Sequence, residues 1–285
     1  QARHVGDLLR QRTGVSTELV VIKTSGDKDH SRALHELAGS GFFTRELQTA
    51  LLDGEVDAVV HSLKDLPVDE PEGLTLAAVL GREEPREILL APAASRGPGA
   101  LGLKGGAVVG TASLRRAAQA LAIQPDIAIK PLRGNVPTRI RRLDDGAFDA
   151  ILLAFAGVRR LGCDLNGRLL KVFEIDEFIP APGQGALAVE TRADGGLAQQ
   201  LAARLADPDL AQATRCAREL LRALAGGCHL PLGAFATRAA GGLHLLAALG
   251  EIDGTLTRAT VRRAAVVAAD AETAAAAALA ALRES

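Results

Sequence analysis

Short runs of β-branched residues alternate with segments of helical periodicity along most of this 285-residue chain, and this alternation restricts its fold more than any other feature. Buried strands joined by crossover helices are typical of α/β proteins, in which both faces of a sheet are covered. The sequence therefore predicts an α/β fold with parallel strands. Helices are predicted at 43–52 and 112–123, the second with Thr111 or Ser113 as its N-cap. Strands are predicted at residues 19–23, 56–60, 107–109, 127–132, 149–153 and 186–190.

Two segments rich in proline and glycine indicate how the chain is divided. Residues 81–85 and 180–185 are interpreted as paired crossovers between two α/β lobes, with a ligand site in the cleft between the lobes. From about residue 208 the pattern changes to a long helix, three strands near 232–237, 243–249 and 255–267, and an alanine-rich helix, which is typical of a separate α+β domain. We expect domain 1 at residues 1–82 and 186–205, domain 2 at 86–181 and domain 3 at 208–285.

The positive charge of the chain is concentrated in one stretch. Between Lys104 and Arg142 there are eight Lys or Arg residues and one acid, Asp126, although the whole chain has a formal net charge of -1. Such a local excess of positive charge predicts a polyanionic ligand. With 2% aromatic residues and no overall basic charge, the chain lacks the stacking surfaces typical of a nucleic-acid-binding protein.

Two arginine-rich motifs follow predicted strands. Residues 110–116 come after strand 107–109, and residues 133–139 come after strand 127–132. Both motifs are expected at the carboxyl ends of neighbouring strands, where open α/β sheets bind their ligands. The arginines could form solvated helix faces, but their shared position favours an anion site, because a guanidinium group binds carboxylate or phosphate through paired donors.

Asp65 lies in the motif at residues 61–67, directly after an apolar strand. A carboxylate in this position can stabilise a developing cation or accept a proton. From position alone, a loop ion pair between Lys64 and Asp65 is the commoner outcome.

Cys228 lies in a glycine-rich turn at residues 226–233, which gives its thiol room. A small buried cysteine without chemistry is the commoner outcome for a lone cysteine. Cys163 and Cys216 lack such a setting and are assigned structural roles. Because the three cysteines have no close spacing and no secretory signal is found, we expect reduced thiols and a cytoplasmic protein.

Taken together, these motifs resemble the porphobilinogen deaminase (hydroxymethylbilane synthase) family. The resemblance implies two periplasmic-binding-protein-like α/β lobes plus a smaller α+β C-terminal domain. In the family's order, it runs through residues 39–47, 61–67, 110–116, 133–139, 161–162, 182–186 and 226–233.

The resemblance also implies roles for individual residues. Cys228 would carry a dipyrromethane cofactor through a thioether, and Asp65 would act as the catalytic residue by binding pyrrole N–H groups. The implied cofactor-binding residues are Asp65, Lys64, Ser62, Thr111, Ser113, Arg115, Arg116 and Gly134. The implied substrate-binding residues are Arg133, Arg139, Arg160, Phe43 and Gln184.

The implied reaction is the head-to-tail polymerisation of porphobilinogen with release of ammonia. Deamination gives an electrophilic azafulvene, the free α-carbon of the growing chain attacks it, and Asp65 stabilises the cationic pyrroles. Water releases the linear tetrapyrrole as hydroxymethylbilane, and no metal is implied. We expect a monomer without nucleic-acid or membrane partners. The alternative is a two-lobed carboxylate- or anion-binding protein without catalysis, which would need neither Cys228 nor a third domain.

The sequence departs from the family pattern in three places. Ser40 stands where the family has a lysine, and Ser25 stands where it has an arginine, so each position loses a positive charge near the cleft. The family's first strand, which carries an arginine and a serine of the site, would precede Gln1. We therefore expect the native polypeptide to extend upstream by about one strand and a turn.

Overall fold

Three β-sheets organise the part of the chain that the computed structural model describes, residues 1–22, 44–224 and 230–284. The strands are β1 (Val59–Ser62), β2 (Leu74–Leu80), β3 (Glu87–Pro92), β4 (Val108–Gly110), β5 (Ala128–Lys130), β6 (Ala150–Ala154), β7 (Arg168–Val172), β8 (Leu187–Arg192), β9 (Leu232–Ala239), β10 (Gly242–Ile252) and β11 (Ala259–Ala268). The helices are α1 (Ala2–Thr13), α2 (Arg45–Leu52), α3 (Leu114–Ile123), α4 (Val136–Asp144), α5 (Phe155–Leu161), α6 (Leu197–Ala203), α7 (Pro208–Ala223) and α8 (Ala271–Glu284).

The first sheet has the strand order β1-β8-β2, and β8 is antiparallel to both neighbours. Successive side chains of a strand point to opposite faces of its sheet. Leu187 and Val189 of β8 accordingly pack in one core with residues of α1 and α6, and Ala188 packs in another with Leu63 and Leu66. The segment that follows β1 is therefore fixed on a hydrophobic base.

The second sheet has the order β5-β4-β6-β3-β7, with β4 parallel to β5 and β6, and β3 antiparallel to β6 and β7. Leu89 of β3 packs in one core with Leu121 of α3, and Ile88 packs in another with Ile140 of α4. Both faces of this sheet are therefore covered, as expected for an α/β lobe.

The C-terminal unit consists of α7, α8 and the antiparallel sheet β11-β10-β9. Its core lies between the two helices and one face of the sheet. Small side chains at intervals of three or four residues let α8 pack closely with its neighbours. The buried residues of α8 are Ala271, Ala274, Ala275, Ala278 and Leu282.

Two crossovers connect the first and second sheets and lie side by side. The chain leaves β2 for β3 through residues 81–86 and returns from β7 to β8 through residues 173–186. The Glu83 amide donates to the Gly185 carbonyl at 3.0 Å, and Gln184 Nε2 donates to the Pro85 carbonyl at 2.8 Å. Gly185 has a φ of +88°, and a Cβ added there would lie 2.4 Å from the Glu83 carbonyl oxygen. The close approach of the crossovers therefore requires glycine.

The α/β class and most predicted elements are confirmed. The strands predicted at 127–132, 149–153 and 186–190 correspond to β5, β6 and β8, and Ser113 is the N-cap of α3. Residues 19–22 form no regular structure, residue 23 lies outside the described residues, and β1 begins at Val59 rather than at 56. The sequence did not indicate β2, β3 and β7, because they combine alanine, proline or charged residues with apolar ones and so have a weak strand signal.

The prediction of parallel strands is wrong for the first sheet and for β3 and β7. All pairs in the first sheet are antiparallel, and β3 is antiparallel to both neighbours. A parallel neighbour is usually reached through a helix that crosses the face of the same sheet. Strand β8 instead enters the first sheet from the other lobe through a crossover. Parallel order is found where helices connect neighbouring strands, at β4, β5 and β6.

We expect Gly185→Ala to lower the free energy of unfolding by more than about 2 kcal/mol, because an L residue pays ~1–2 kcal/mol for left-handed backbone and the new methyl group also meets a carbonyl. Gly146→Ala is the matched control, since Gly146 has a φ of +74° and open space around its Cβ position. Urea unfolding of the two variants measures the difference. Equal losses at the two positions would contradict the close contact between the crossovers.

Candidate active site

The segment after β1 places Asp65 at the end of the first sheet. A single 3-10 turn, Leu63–Asp65, follows Ser62, and the Leu66 amide donates to the Leu63 carbonyl at 3.2 Å. Leu63 and Leu66 are buried, whereas Asp65 is exposed. The two leucines therefore anchor the turn and leave the carboxylate open to a ligand.

A buried polar group lies beneath this turn. His61 Nε2 is 2.9 Å from Glu190 Oε2, and both side chains are almost fully buried. The other carboxylate oxygen, Glu190 Oε1, accepts from Gln48 Nε2 at 2.9 Å. Glu190 of β8 therefore connects Gln48 of α2 to His61 of β1, the residue that precedes Ser62.

The carboxylate of Glu87 gathers three side chains at the start of β3. Arg115 Nη2 lies 2.5 Å from Glu87 Oε1, and Arg116 Nε lies 3.0 Å from Glu87 Oε2. Gln184 Nε2 donates to Glu87 Oε1 at 3.0 Å. Charge-assisted hydrogen bonds of this kind are about twice as strong as neutral ones. Glu87 therefore holds the N-terminal turn of α3 and one crossover at a single point.

The charges around Glu87 determine its ionisation. Burial alone would raise the pKa of its carboxyl, but Arg116, Arg115 and Lys64 together hold that pKa at about 2. Burial lowers the pKa of Lys64, although part of its side chain reaches solvent, and the nearby Asp65 carboxylate opposes the effect. Lys64 and Glu87 therefore interact across the junction of the two lobes.

Backbone carbonyls complete the surroundings of the paired arginines. Arg115 Nη1 donates to the Ile179 carbonyl at 3.0 Å, and Arg116 Nη1 donates to the Leu152 carbonyl at 3.4 Å. Both guanidinium groups are buried, and burial lowers the pKa of Arg115. Arg115 and Arg116, for which the family resemblance implies a role in cofactor binding, are therefore both engaged by protein groups.

Arg133 and Arg139 belong to the second arginine-rich motif, residues 133–139. Arg133 precedes α4, and Arg139 lies within it. Arg139 Nε donates to the Gly134 carbonyl at 2.7 Å, and burial followed by the charge of Arg116 lowers the pKa of Arg139 to about 10, against the effect of Asp65. Arg133 Nη2 is buried and has no hydrogen-bond partner within the described part of the chain. Arg133 therefore has a donor available, and Arg139 lies within electrostatic range of Asp65.

Arg160, at the end of α5, lies against the crossovers. Its Nη2 donates to the Gly185 carbonyl at 2.5 Å and approaches the Gly81 carbonyl at 3.4 Å. One guanidinium group thus contacts both crossover segments. If Arg160 also binds substrate, as predicted, it must do so while its Nη2 contacts the crossovers.

Four small residues among those predicted for the site, Ser62, Thr111, Ser113 and Gly134, lie at turns or helix ends or bond to neighbouring protein groups. Ser62 Oγ exchanges hydrogen bonds with the Gln1 side chain at 2.8 and 3.1 Å. Thr111 Oγ1 accepts from the Ser113 amide at 3.1 Å, and Ser113 Oγ accepts from an amide of α3. Gly134 has a φ of +105°, so it turns the chain from β5 into α4. These four residues lie at the carboxyl ends of β1, β4 and β5.

The structure brings one group of predicted residues together. Electrostatic interactions connect Lys64, Asp65, Arg115, Arg116 and Arg139. Phe43 and Cys228 lie outside the described residues, as do Ser25 and Ser40.

Sequence reasoning missed Glu87, although a signal was present. Glu87 heads the apolar run 88–91, and a charge at the end of a buried strand must be paired or pay a large desolvation cost. It also missed Arg218 of α7, which is buried and donates to the carbonyls of residues 63, 66 and 67. No helix in the described part of the chain has the length and apolar character needed to span a membrane.

Two family comparisons cover most of the chain. The porphobilinogen deaminase dipyrromethane cofactor-binding domain matches residues 1–200, and the porphobilinogen deaminase C-terminal domain matches residues 211–282. The porphobilinogen deaminase of Albidiferax ferrireducens is 44% identical over 94% of this chain and 83% of its own length. That of Phenylobacterium zucineum is 48% identical over 84% of this chain and 72% of its own length.

Solved structures of two-lobed binding proteins also align with the chain. An ancestral cationic amino acid solute-binding protein is 14% identical, with a TM-score of 0.42 over 71% of this chain and 76% of its own. The family matches and the curated relatives extend through both lobes and the C-terminal unit. The chain belongs to the porphobilinogen deaminase family.

Proposed function

We propose that Asp65 is the catalytic carboxylate of this enzyme and that the cations around Glu87 bind the carboxylates of its pyrroles. As a family member, the chain is a transferase that polymerises porphobilinogen into hydroxymethylbilane on a dipyrromethane cofactor. The observation that carries the residue assignment is the cluster itself: Arg115 and Arg116 are fixed on Glu87 beside Lys64 and the exposed Asp65.

The residues present fit a dipyrromethane group. Arg133 Nη2 and Gln184 Oε1, both of residues predicted to bind substrate, are buried without a hydrogen-bond partner among the described residues. They leave a donor for a carboxylate and an acceptor for a pyrrole N–H of the substrate that joins this cofactor. We propose that the Cys228 thiol carries the cofactor. When bound, the dipyrromethane supplies the free α-position to which the first porphobilinogen is joined.

The charge of the cluster suits a pyrrole with two acidic side chains. The four cations Lys64, Arg115, Arg116 and Arg139 outnumber the two carboxylates of Glu87 and Asp65 by two. An acetate and a propionate on one ring would balance that excess. Guanidinium groups bind carboxylates in a forked geometry, so the arginines would also orient the ring.

The proposed role of Asp65 is to act on the pyrrole nitrogen, and its surroundings support this role. Its turn is anchored by buried leucines while its side chain is exposed, and Arg139 and Lys64 lie within electrostatic range. A fixed carboxylate accepts hydrogen bonds from pyrrole N–H groups and stabilises the positive charge that develops there.

The alternative function, anion binding without catalysis, is not favoured. The family match includes the C-terminal domain at residues 211–282, which a two-lobed binding protein would not need. We propose the domain boundaries 1–82 with 186–205, 86–181 and 208–285, which agree with the membership of the three sheets. We also propose a monomer without nucleic-acid or membrane partners. The unpaired thiols of Cys163 and Cys216 support a location in the reducing cytoplasm.

Asp65→Asn is expected to lower the turnover number by about 10²–10³, because the amide keeps the shape of the carboxylate and loses its charge. The fold and the attached cofactor are expected to remain. Porphobilinogen consumption and intact mass, measured on the same sample, separate the two effects. A fall of less than about tenfold in a loaded, folded variant would contradict the role of Asp65.

Arg133→Leu is expected to raise the KM for porphobilinogen or slow elongation by roughly ten- to a hundredfold, the loss typical of a charge-assisted hydrogen bond. Arg142→Leu is the control, since Arg142 is an exposed arginine of the neighbouring α4 and is expected to change the kinetics by less than about fivefold. Steady-state kinetics at two salt concentrations compare the variants. Similar losses in both would assign the effect to overall charge instead of to a site.

A further inference from the structure

Arg218 of α7 binds the backbone of the turn that carries Asp65. Its Nη1 donates to the carbonyls of Leu63 at 3.3 Å and Leu66 at 2.9 Å, and its Nη2 donates to the carbonyl of Pro67 at 2.7 Å. The Arg218 side chain is buried. The residues in contact are about 150 positions apart in the sequence, so this is a tertiary contact between the C-terminal unit and the first lobe.

The three carbonyls lie on both sides of Asp65 in the chain. Leu63 begins the 3-10 turn, and Leu66 and Pro67 follow its last residue. A planar guanidinium group presents its donors in a rigid fork, so three acceptors held at once fix both the position and the orientation of the turn. A lysine ammonium cannot reproduce that geometry.

The same helix precedes Cys228 in the sequence. Arg222, one helical turn after Arg218, donates from Nη2 to the Val68 carbonyl at 2.7 Å. Helix α7 ends at Ala223, and Cys228 follows five residues later in the sequence. The last turns of α7 therefore contact the chain around the Asp65 turn, and Cys228 lies shortly after this helix in the sequence.

We propose that Arg218 is a positioning residue of this enzyme, which holds the Asp65 turn in fixed register with the helix that precedes Cys228. The inference rests on the proposed roles of Asp65 and Cys228. Misplacement of a catalytic group by about 1 Å can cost on the order of 100-fold in rate. Because the Asp65 side chain is exposed, its position depends on the position of its backbone, and Arg218 fixes that backbone.

The test compares three variants of the whole, cofactor-loaded enzyme. Arg218→Gln removes the charge and the fork, Arg218→Lys keeps the charge, and Arg215→Gln is the matched control. Arg215 lies one turn earlier on the same helix, is exposed, and pairs with Glu272 inside the C-terminal unit. Intact mass reports cofactor loading, hydrogen exchange of a peptide spanning residues 62–69 reports the order of the turn, and steady-state kinetics separate kcat from KM.

We expect both Arg218 variants to load the cofactor, to exchange faster in peptide 62–69 and to lose roughly 10- to 100-fold in kcat with little change in KM. Arg215→Gln is expected to match the parent enzyme in all three measurements. If Arg218→Gln does not fold, Arg218→Lys alone decides the question. Unchanged kcat and exchange in a folded Arg218 variant would overturn the inference, and so would equal effects in Arg215→Gln.

The Asp65 and Arg218 variants test the catalytic role and the positioning role separately. An active Asp65→Asn variant would remove the role of Asp65 itself, whatever Arg218 does. An inactive Asp65→Asn variant together with normal Arg218 variants would leave the catalytic assignment intact and refute the positioning role alone.

Discussion

The site depends on one buried carboxylate, that of Glu87. Burying a carboxylate beside two guanidinium groups costs several kcal/mol per ion in lost hydration, and the geometry must supply good hydrogen bonds to offset it. Glu87 receives Arg115, Arg116 and Gln184 within hydrogen-bond distance, from a helix and from a crossover. The same interaction that fixes these groups therefore also fixes the second lobe against the junction with the first.

Several arginines around the site donate to neutral acceptors, so these contacts do not neutralise their positive charge. Arg218 and Arg160 donate to backbone carbonyls, and Arg263 of β11 donates to the carbonyls of Asp176 and Glu177. The guanidinium of Arg82, in the first crossover, lies 4.4 Å from the ring centroid of Phe235 in β9. These contacts join the C-terminal unit and the crossovers to the lobes without placing further carboxylates near the cluster.

The sequence alone predicted the α/β class, the crossovers and the position of the arginine-rich motifs near strand ends, because each depends on local patterns. Thr111, Ser113 and Gly134 follow predicted strands and lie at strand ends in the structure. Pairings between distant segments could not be predicted. Glu87 lies 28 residues before Arg115 and 97 before Gln184, so no local pattern connects them. Strand direction failed for a similar reason, since β8 reaches its sheet through a crossover between lobes.

If this chain performs its chemistry on a cofactor bonded to Cys228, the intact mass of the denatured protein must reveal that bond. We expect the purified enzyme to be heavier than its own polypeptide by the mass of one dipyrromethane. Cys228→Ser, prepared in the same way, is expected to carry no such adduct and to be inactive. An unmodified polypeptide with full activity, or a fully active Cys228→Ser enzyme, would show that no such bond is needed.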